Sequence, residues 1–350
     1  MSRTAVVLFN LGGPDSPEAV RPFLFNLFND KAIIGAPAPI RFVLASLIST
    51  RRAPVAREIY SHLGGGSPIL ANTQAQAEAL SRELDHGPGE YEVFICMRYW
   101  HPRSEAVVAA VKKYGPSDVV LLPLYPQYST TTTGSALADW SRAAGKTGLQ
   151  APTRGPCCYP TLPGFIEAVA DGVKVAIAAA KDATSAPIRV LFSAHGLPKR
   201  IVAAGDPYQW QVERTAAAVV ERLGMPGLDW VVCYQSRVGP LEWIGPATDE
   251  EIGRAGRDGV AAVVAPVAFV SEHSETLVEL DIEYGKLARL AGVPAYVRAP
   301  TVGTAPPFIR GLASLVRDAK AAGPGVHRPK AEERCPAPHL RCPQAGAAAS

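Results

Sequence analysis

Short apolar runs rich in β-branched residues alternate with helical stretches along the chain, and this alternation restricts the fold more than any other feature. The runs are Thr4–Asn10, Tyr91–Arg98, Asp118–Pro123, Ile188–Ser193, Trp230–Gln235, Gly259–Val270 and the short Ala295–Val297. They suit parallel strands buried on both faces. Helical patterns fill the intervals at Thr73–Leu84, Arg103–Lys113, Phe165–Ala180, Tyr208–Leu223 and Ser274–Leu290. The order predicts an α/β protein with parallel sheets. At 350 residues the chain has room for two ordinary domains, and the proline-rich zone Leu149–Pro163 is the best boundary between them. The net charge of +3 is too small to argue for nucleic acid, and no zinc-finger or RNP pattern is present. No stretch approaches about 20 apolar residues free of charge and proline, the length a membrane span needs. The start, MSRTAVVLFNLGG, reads as a first strand and not a signal peptide, so a cytoplasmic protein is expected.

Two segments carry the chemistry. In Ser271–Tyr284, placed on an α-helix, Glu272, Glu275, Glu279 and Glu283 fall on one narrow face. His273, Leu277, Leu280 and Tyr284 form a neighbouring stripe. Most acidic helix faces are simply solvated. Here, however, the strand Gly259–Val270 immediately precedes the helix and sets its first turn at a strand's carboxyl end, where open α/β sheets bind ligands. The second segment, Arg189–Arg200, delivers Ser193, Ala194 and His195 into a Gly–Pro turn at another carboxyl end. Imidazole accepts protons near neutral pH and ligates borderline divalent metals. His195 facing Glu275 would do both.

Several loops follow strands and are rich in groups that suit a flat, carboxylated ligand. Asn10–Ser16 (NLGGPDS) and Gly64–Pro68 (GGGSP) permit close backbone approach, although ordinary turns use the same residues. Met97–Pro102 (MRYWHP) offers a cation, two aromatics and an imidazole, and Leu122–Gly134 is rich in hydroxyls. In Cys233–Ile252, Trp243 lies between two Gly–Pro steps and suits a cleft wall. Lys31–Arg52 is apolar and bracketed by basic residues: a lid with an apolar lip resting on a membrane surface, or a buried helix with basic caps.

Together these motifs resemble the ferrochelatases, bacterial ones in particular. The matching stretches are FNLGGPDS, GGGSPI, MRYWHP, LYPQYSTTTTGS, FSAHGLP, CYQSRVGP with WIGPATDE, and VAFVSEHSETLVELDIEY, in order over most of the chain. The resemblance implies two Rossmann-like domains, 1–150 with 301–323 and 151–300, with the active-site cleft between them. A Pro/Ala-rich tail follows at 324–350. It implies insertion of Fe(II) into protoporphyrin IX, giving protohaem and two protons. Coproporphyrin or cobalt chelation, or non-catalytic tetrapyrrole binding, are the alternatives. His195 and Glu275 would form the catalytic and metal site, with Glu272, His273, Glu279 and Glu283 as a proton or metal path. Leu11 (methionine in some relatives), Tyr60, Ser67, Arg98, Tyr99, Tyr125 and Trp243 would line the porphyrin pocket. Lys31–Arg52 would be a lip in peripheral contact with the inner membrane face. Family members occur as monomers and homodimers.

The chain has six cysteines, Cys96, Cys157, Cys158, Cys233, Cys335 and Cys342, and a reducing cytoplasm argues against disulfides. The chemistry itself requires no cofactor, but some ferrochelatases hold a [2Fe–2S] cluster on C-terminal cysteines and one internal cysteine. Cys335 and Cys342 resemble the C-terminal pair, and Cys157 or Cys158 the internal one. Four thiolates are usual, so Cys157 or a group such as His339 would complete the set. The internal cysteine of the animal-type pattern is absent, its place taken by Thr130.

Overall fold

In the computed structural model, which describes residues 3–86, 89–237, 239–330 and 332–345, the apolar runs form strands. In chain order these are β1 Arg3–Asn10, β2 Glu90–Met97, β3 Asp118–Pro123, β4 Thr153–Pro156, β5 Ile188–His195, β6 Asp229–Gln235, β7 Ala261–Pro266, β8 Tyr296–Arg298 and β9 Gly325–His327. They make two sheets, ordered β2-β1-β3-β4-β9 and β6-β5-β7-β8, and every pairing is parallel. Helices connect the strands, as parallel pairing requires.

The chain divides into two units: Met1–Cys157 with Leu312–Pro329, and Cys158–Gly311 with Lys330–Ser350. The boundary falls a few residues beyond 150, because the proline-rich zone read as a linker contains β4, which pairs with β3 and β9. Gly155 permits that pairing: a Cβ there would lie 2.1 Å from the Leu121 carbonyl oxygen. The region from 324 is not a separate tail. β9 extends the first sheet, and Lys330 onward belongs to the second unit, with 346–350 outside the described residues.

In the first unit Val7, Phe9, Val108, Leu121 and Trp140 form the core on one side of the sheet. In the second, Leu191, Cys233, Val264, Leu280 and Ala288 do the same. Each such buried aliphatic side chain contributes roughly 1.5–3 kcal/mol of transfer free energy. The Lys31–Arg52 stretch falls mostly within the helix Ala38–Ser61. Its Ile40, Phe42, Val43, Leu44, Leu47 and Val55 are exposed, so it is not the buried helix that composition alone allows. Among the described residues no helix is long and apolar enough to cross a membrane.

Candidate active site

β5 lies between β6 and β7, and its last residue, His195, registers with Gln235 at the end of β6. Tyr208 donates its hydroxyl to the His195 carbonyl at 3.0 Å, fixing the strand end. The chain after β7 enters a π-helix, Glu275–Glu283, which passes into the α-helix Tyr284–Leu290. Glu275, its first residue, holds Oε2 2.9 Å from His195 Nδ1. His273 Nε2 lies 3.8 Å from the same oxygen, and the His273 ring is braced by Phe269 and by Nδ1 at 3.0 Å from the Ser271 carbonyl. One carboxylate oxygen therefore stands between two imidazoles.

Electrostatics make His195 a stronger base and Glu275 a weaker one. Burial works against the charge on both groups. For His195, the neighbouring Glu275 charge and hydrogen bond, with Glu279 beyond, outweigh it and raise the imidazole above its ordinary range. For Glu275, His195 and then His273 outweigh burial and hold the carboxyl far below the carboxylate range. The ring of His195 remains 43% exposed. With Nδ1 turned to Glu275, Nε2 is the nitrogen left for an incoming proton or metal.

The acidic residues separate into different environments. Glu279 accepts from the Ser236 N–H at 2.8 Å, the Gln235 amide at 3.0 Å and the Tyr284 hydroxyl at 3.1 Å. Burial, then the Glu275 charge, raise its pKa despite those bonds from Ser236 and Gln235. Ser236 adopts φ 60°, a left-handed conformation uncommon outside glycine, which turns both its N–H and its hydroxyl toward Glu279. Glu272 does not share the face predicted for it. It precedes the helix, accepts from Arg298 and the Thr301 N–H at 2.9 Å each, and stays ionised through contacts that outweigh its burial. Glu283 is exposed.

In the first unit Tyr60 and Tyr99 join Val20, Phe23, Leu24 and Ala53 in one apolar cluster, against which Leu11 and Trp100 pack. Ser67 caps the next turn, its N–H bonded to the Pro14 carbonyl at 2.7 Å. Tyr125 packs on the cluster around Trp140. Sequence reasoning missed Asp30, which organises this region. Its Oδ2 accepts from Arg98 Nη2 and the Tyr99 hydroxyl at 2.8 Å each, and from Ser135. Arg98 also donates Nε to Ser135 at 2.7 Å and is 13% exposed. The guanidinium expected to clamp a ligand is thus largely occupied by protein partners. Trp243 sits in the second unit, bridged to Pro198 and stacked near Gly196.

The cysteines also sort themselves. Cys96 and Cys233 are buried in strands and hydrogen-bonded to Ser104 and Thr248. Cys158 and Cys335 flank Gln211, whose side-chain amide lies 3.3 and 3.2 Å from their sulfurs. Cys335 shares a hydrogen bond with Cys342, which together with burial pushes its thiol pKa up. Residues 158, 335 and 342 therefore meet, although the sequence separates them widely. No three His, Cys, Asp or Glu side chains among the described residues converge closely enough for a single metal ion.

Two parallel-sheet α/β units, the second carrying an imidazole–carboxylate pair beyond the carboxyl ends of its strands, define an α/β protein with a site suited to proton and metal chemistry. Among solved structures, SirB from Bacillus subtilis with Fe3+ aligns with TM-score 0.51 at 15% identity, covering 92% of this chain and 96% of that one, a likeness of fold alone. The family model for ferrochelatase matches residues 3–320. The ferrochelatase of Caulobacter vibrioides is 54% identical over 97% of both chains. That of Pelagibacter ubique is 46% identical over 97% of this chain and 98% of its own. The chain belongs to the ferrochelatase family and is a metal chelatase of haem biosynthesis.

Proposed function

We propose that this chain inserts Fe(II) into protoporphyrin IX, with His195 as the base and Glu275 as its partner. The observation that carries this reading is the 2.9 Å contact from Glu275 to Nδ1, which leaves His195 Nε2 as the acceptor. Metallation removes two pyrrole protons and forms four metal–nitrogen bonds. His195 Nε2 takes one proton while its Nδ1–H stays bonded to Glu275, which stabilises the imidazolium as it forms. Glu275, flanked by His273 Nε2, is the hard oxygen donor that offers Fe(II) a place to shed water before entering the ring. Glu279, held by Gln235, Ser236 and Tyr284, takes the first proton on from the pair, which returns His195 to the neutral form that accepts the second pyrrole proton. Glu272 is neutralised by Arg298 and serves the scaffold of this path, and Glu283 opens it to solvent. The aromatic and apolar groups around Tyr60 suit one face of a flat macrocycle.

The exposed apolar face of Ala38–Ser61, with Arg41, Arg51 and Arg52 nearby, supports peripheral contact with an anionic membrane surface, where a hydrophobic porphyrin would be collected. A [2Fe–2S] cluster fits the second unit. Cys158, Cys335 and Cys342 would supply thiolates, and Gln211 would donate a hydrogen bond to sulfur. When bound, the cluster would cross-link residues 330–345 to the body of the unit.

The test is anaerobic iron insertion into protoporphyrin IX, read by loss of porphyrin fluorescence, with coproporphyrin and Co(II) run alongside. His195→Ala is expected to bind the ring and lose turnover. Near-wild-type insertion by that variant would remove His195 as the base, and faster metallation of coproporphyrin would change the substrate.

A further inference from the structure

Cys158 and Cys335 meet at Gln211 and Cys342 bonds to Cys335, and a two-iron cluster needs a fourth ligand. Cys96 and Cys233 are committed to their strands. Cys157 continues the β4–β9 pairing through its N–H, 2.8 Å from the His327 carbonyl. The nearby carboxylates are also engaged: Glu332 accepts from Thr161, and Glu333 pairs with Arg214.

His339 lies on the turn that joins Cys335 to Cys342. Its N–H reaches the Pro336 carbonyl at 3.0 Å, and its own carbonyl accepts from the Cys342 N–H at 3.1 Å. The Arg341 N–H bonds to the Gly205 carbonyl at 3.0 Å and fastens the turn to the unit. The imidazole stands against Trp210, whose neighbour Gln211 holds the two sulfurs, with ring centroids 5.9 Å apart. Nδ1 of His339 is shut off from solvent and has no hydrogen-bond partner. A buried nitrogen of this kind is unusual in a native fold and calls for an occupant.

We propose that His339 Nδ1 is the fourth ligand of a two-iron, two-sulfide cluster whose other ligands are the thiolates of Cys158, Cys335 and Cys342. The proposal rests on the cluster reading above and names the residue that completes it. A two-iron cluster distributes its ligands in pairs over separate irons, so it does not require the convergence a single ion needs. Each thiol loses its proton on binding, whereas the imidazole binds neutral. Replacing one thiolate by a neutral ring makes the cluster less negative and raises its reduction potential.

The experiment uses the full chain, loaded anaerobically with ferrous iron and sulfide, as wild type, His339→Cys, His339→Ala and Cys157→Ser. Iron and sulfide content, the electron paramagnetic resonance spectrum of the reduced cluster and its midpoint potential are measured. The wild type is expected to hold the cluster at a potential above that of an all-thiolate cluster. His339→Cys keeps the cluster with a lower potential and a changed spectrum. His339→Ala loses most of its iron to a chelator that leaves the wild type loaded, and Cys157→Ser matches the wild type. A wild-type spectrum and potential in His339→Ala or His339→Cys overturns the assignment, and loss of the cluster in Cys157→Ser transfers the role to Cys157. If neither wild type nor His339→Cys takes up iron and sulfide, the cluster reading itself fails and the ligand assignment goes with it.

Discussion

Replacing Glu275 by Gln removes one negative charge beside His195 with little change of shape. The carboxylate lies 2.9 Å from Nδ1, with the imidazole 43% and the carboxylate side chain 26% exposed. Two unit charges at that separation attract by about 1.4 kcal/mol in bulk water and by about 6 kcal/mol at an effective permittivity near 20. The half-open ring places the pair between these limits. A loss of about 3 kcal/mol, when His195 becomes charged in the transition state, slows turnover by roughly 10²-fold. That lies at the lower end of the range of about 10²–10⁴ for a positioned general base. The assay is anaerobic single-turnover iron insertion, with porphyrin affinity measured separately by fluorescence titration. Affinity should stay within about threefold, because the charge acts on the transition state and not on ring binding. The pH dependence provides an independent check. His195 accepts a proton only when neutral, so the rate climbs with pH through its raised pKa. Removing Glu275 takes away the interactions that raise it, and the acid limb of kcat must move to lower pH. A kcat for Glu275→Gln within threefold of wild type, or an acid limb that stays in place or moves upward, refutes the assignment of His195 as the base.

Further perturbations test the surrounding structure. Asp30→Asn leaves the Arg98 guanidinium, 13% exposed, without its nearest counter-charge; a loss of roughly 3 kcal/mol is expected in urea denaturation, close to the cost of breaking other buried pairs. Gly155→Ala drives a Cβ onto the Leu121 carbonyl oxygen at 2.1 Å and should cost about 3 kcal/mol or more by the same measurement. Ser236→Ala removes a hydroxyl that holds Glu279 ionised, so the Glu279 carboxyl should titrate still higher in a carbon-13-edited pH titration. Replacing Phe42, Val43 and Leu47 together by Ser should abolish sedimentation with anionic vesicles while detergent-solubilised porphyrin is still metallated, since these side chains are exposed and support no core.

The strands were legible in the sequence wherever burial on both faces left an unbroken apolar run. Asp118–Pro123 matches its expected bounds, and β5 differs only by extending to His195. β4 and β9 were not legible, because Thr-Arg-Gly-Pro and Gly-Val-His carry no such run. Their place in the sheet comes from partners distant in the chain and from a glycine that admits a neighbouring carbonyl. The same limit explains Asp30. A lone aspartate before a lysine carries no local signal, yet the fold brings Arg98, Tyr99 and Ser135 onto one of its oxygens.

The acidic segment shows how far periodicity reaches. Offsets of four residues keep Glu275 and Glu279 near one another even though the helix there is a π-helix, with wider turns than the α-helix expected. The first offset fails because Glu272 lies before the helix begins, and Arg298 at the end of β8 draws it elsewhere. The carboxylates consequently have unlike environments. Glu275 is held ionised between imidazoles, Glu279 is half-buried with a raised pKa, and Glu283 meets water. A chain of identical exposed carboxylates would have no reason to pass a proton in either direction. Desolvation and the charge of Glu275 make Glu279 the stronger proton acceptor of the two half-buried carboxylates, which gives the segment a direction that its sequence of like residues does not reveal.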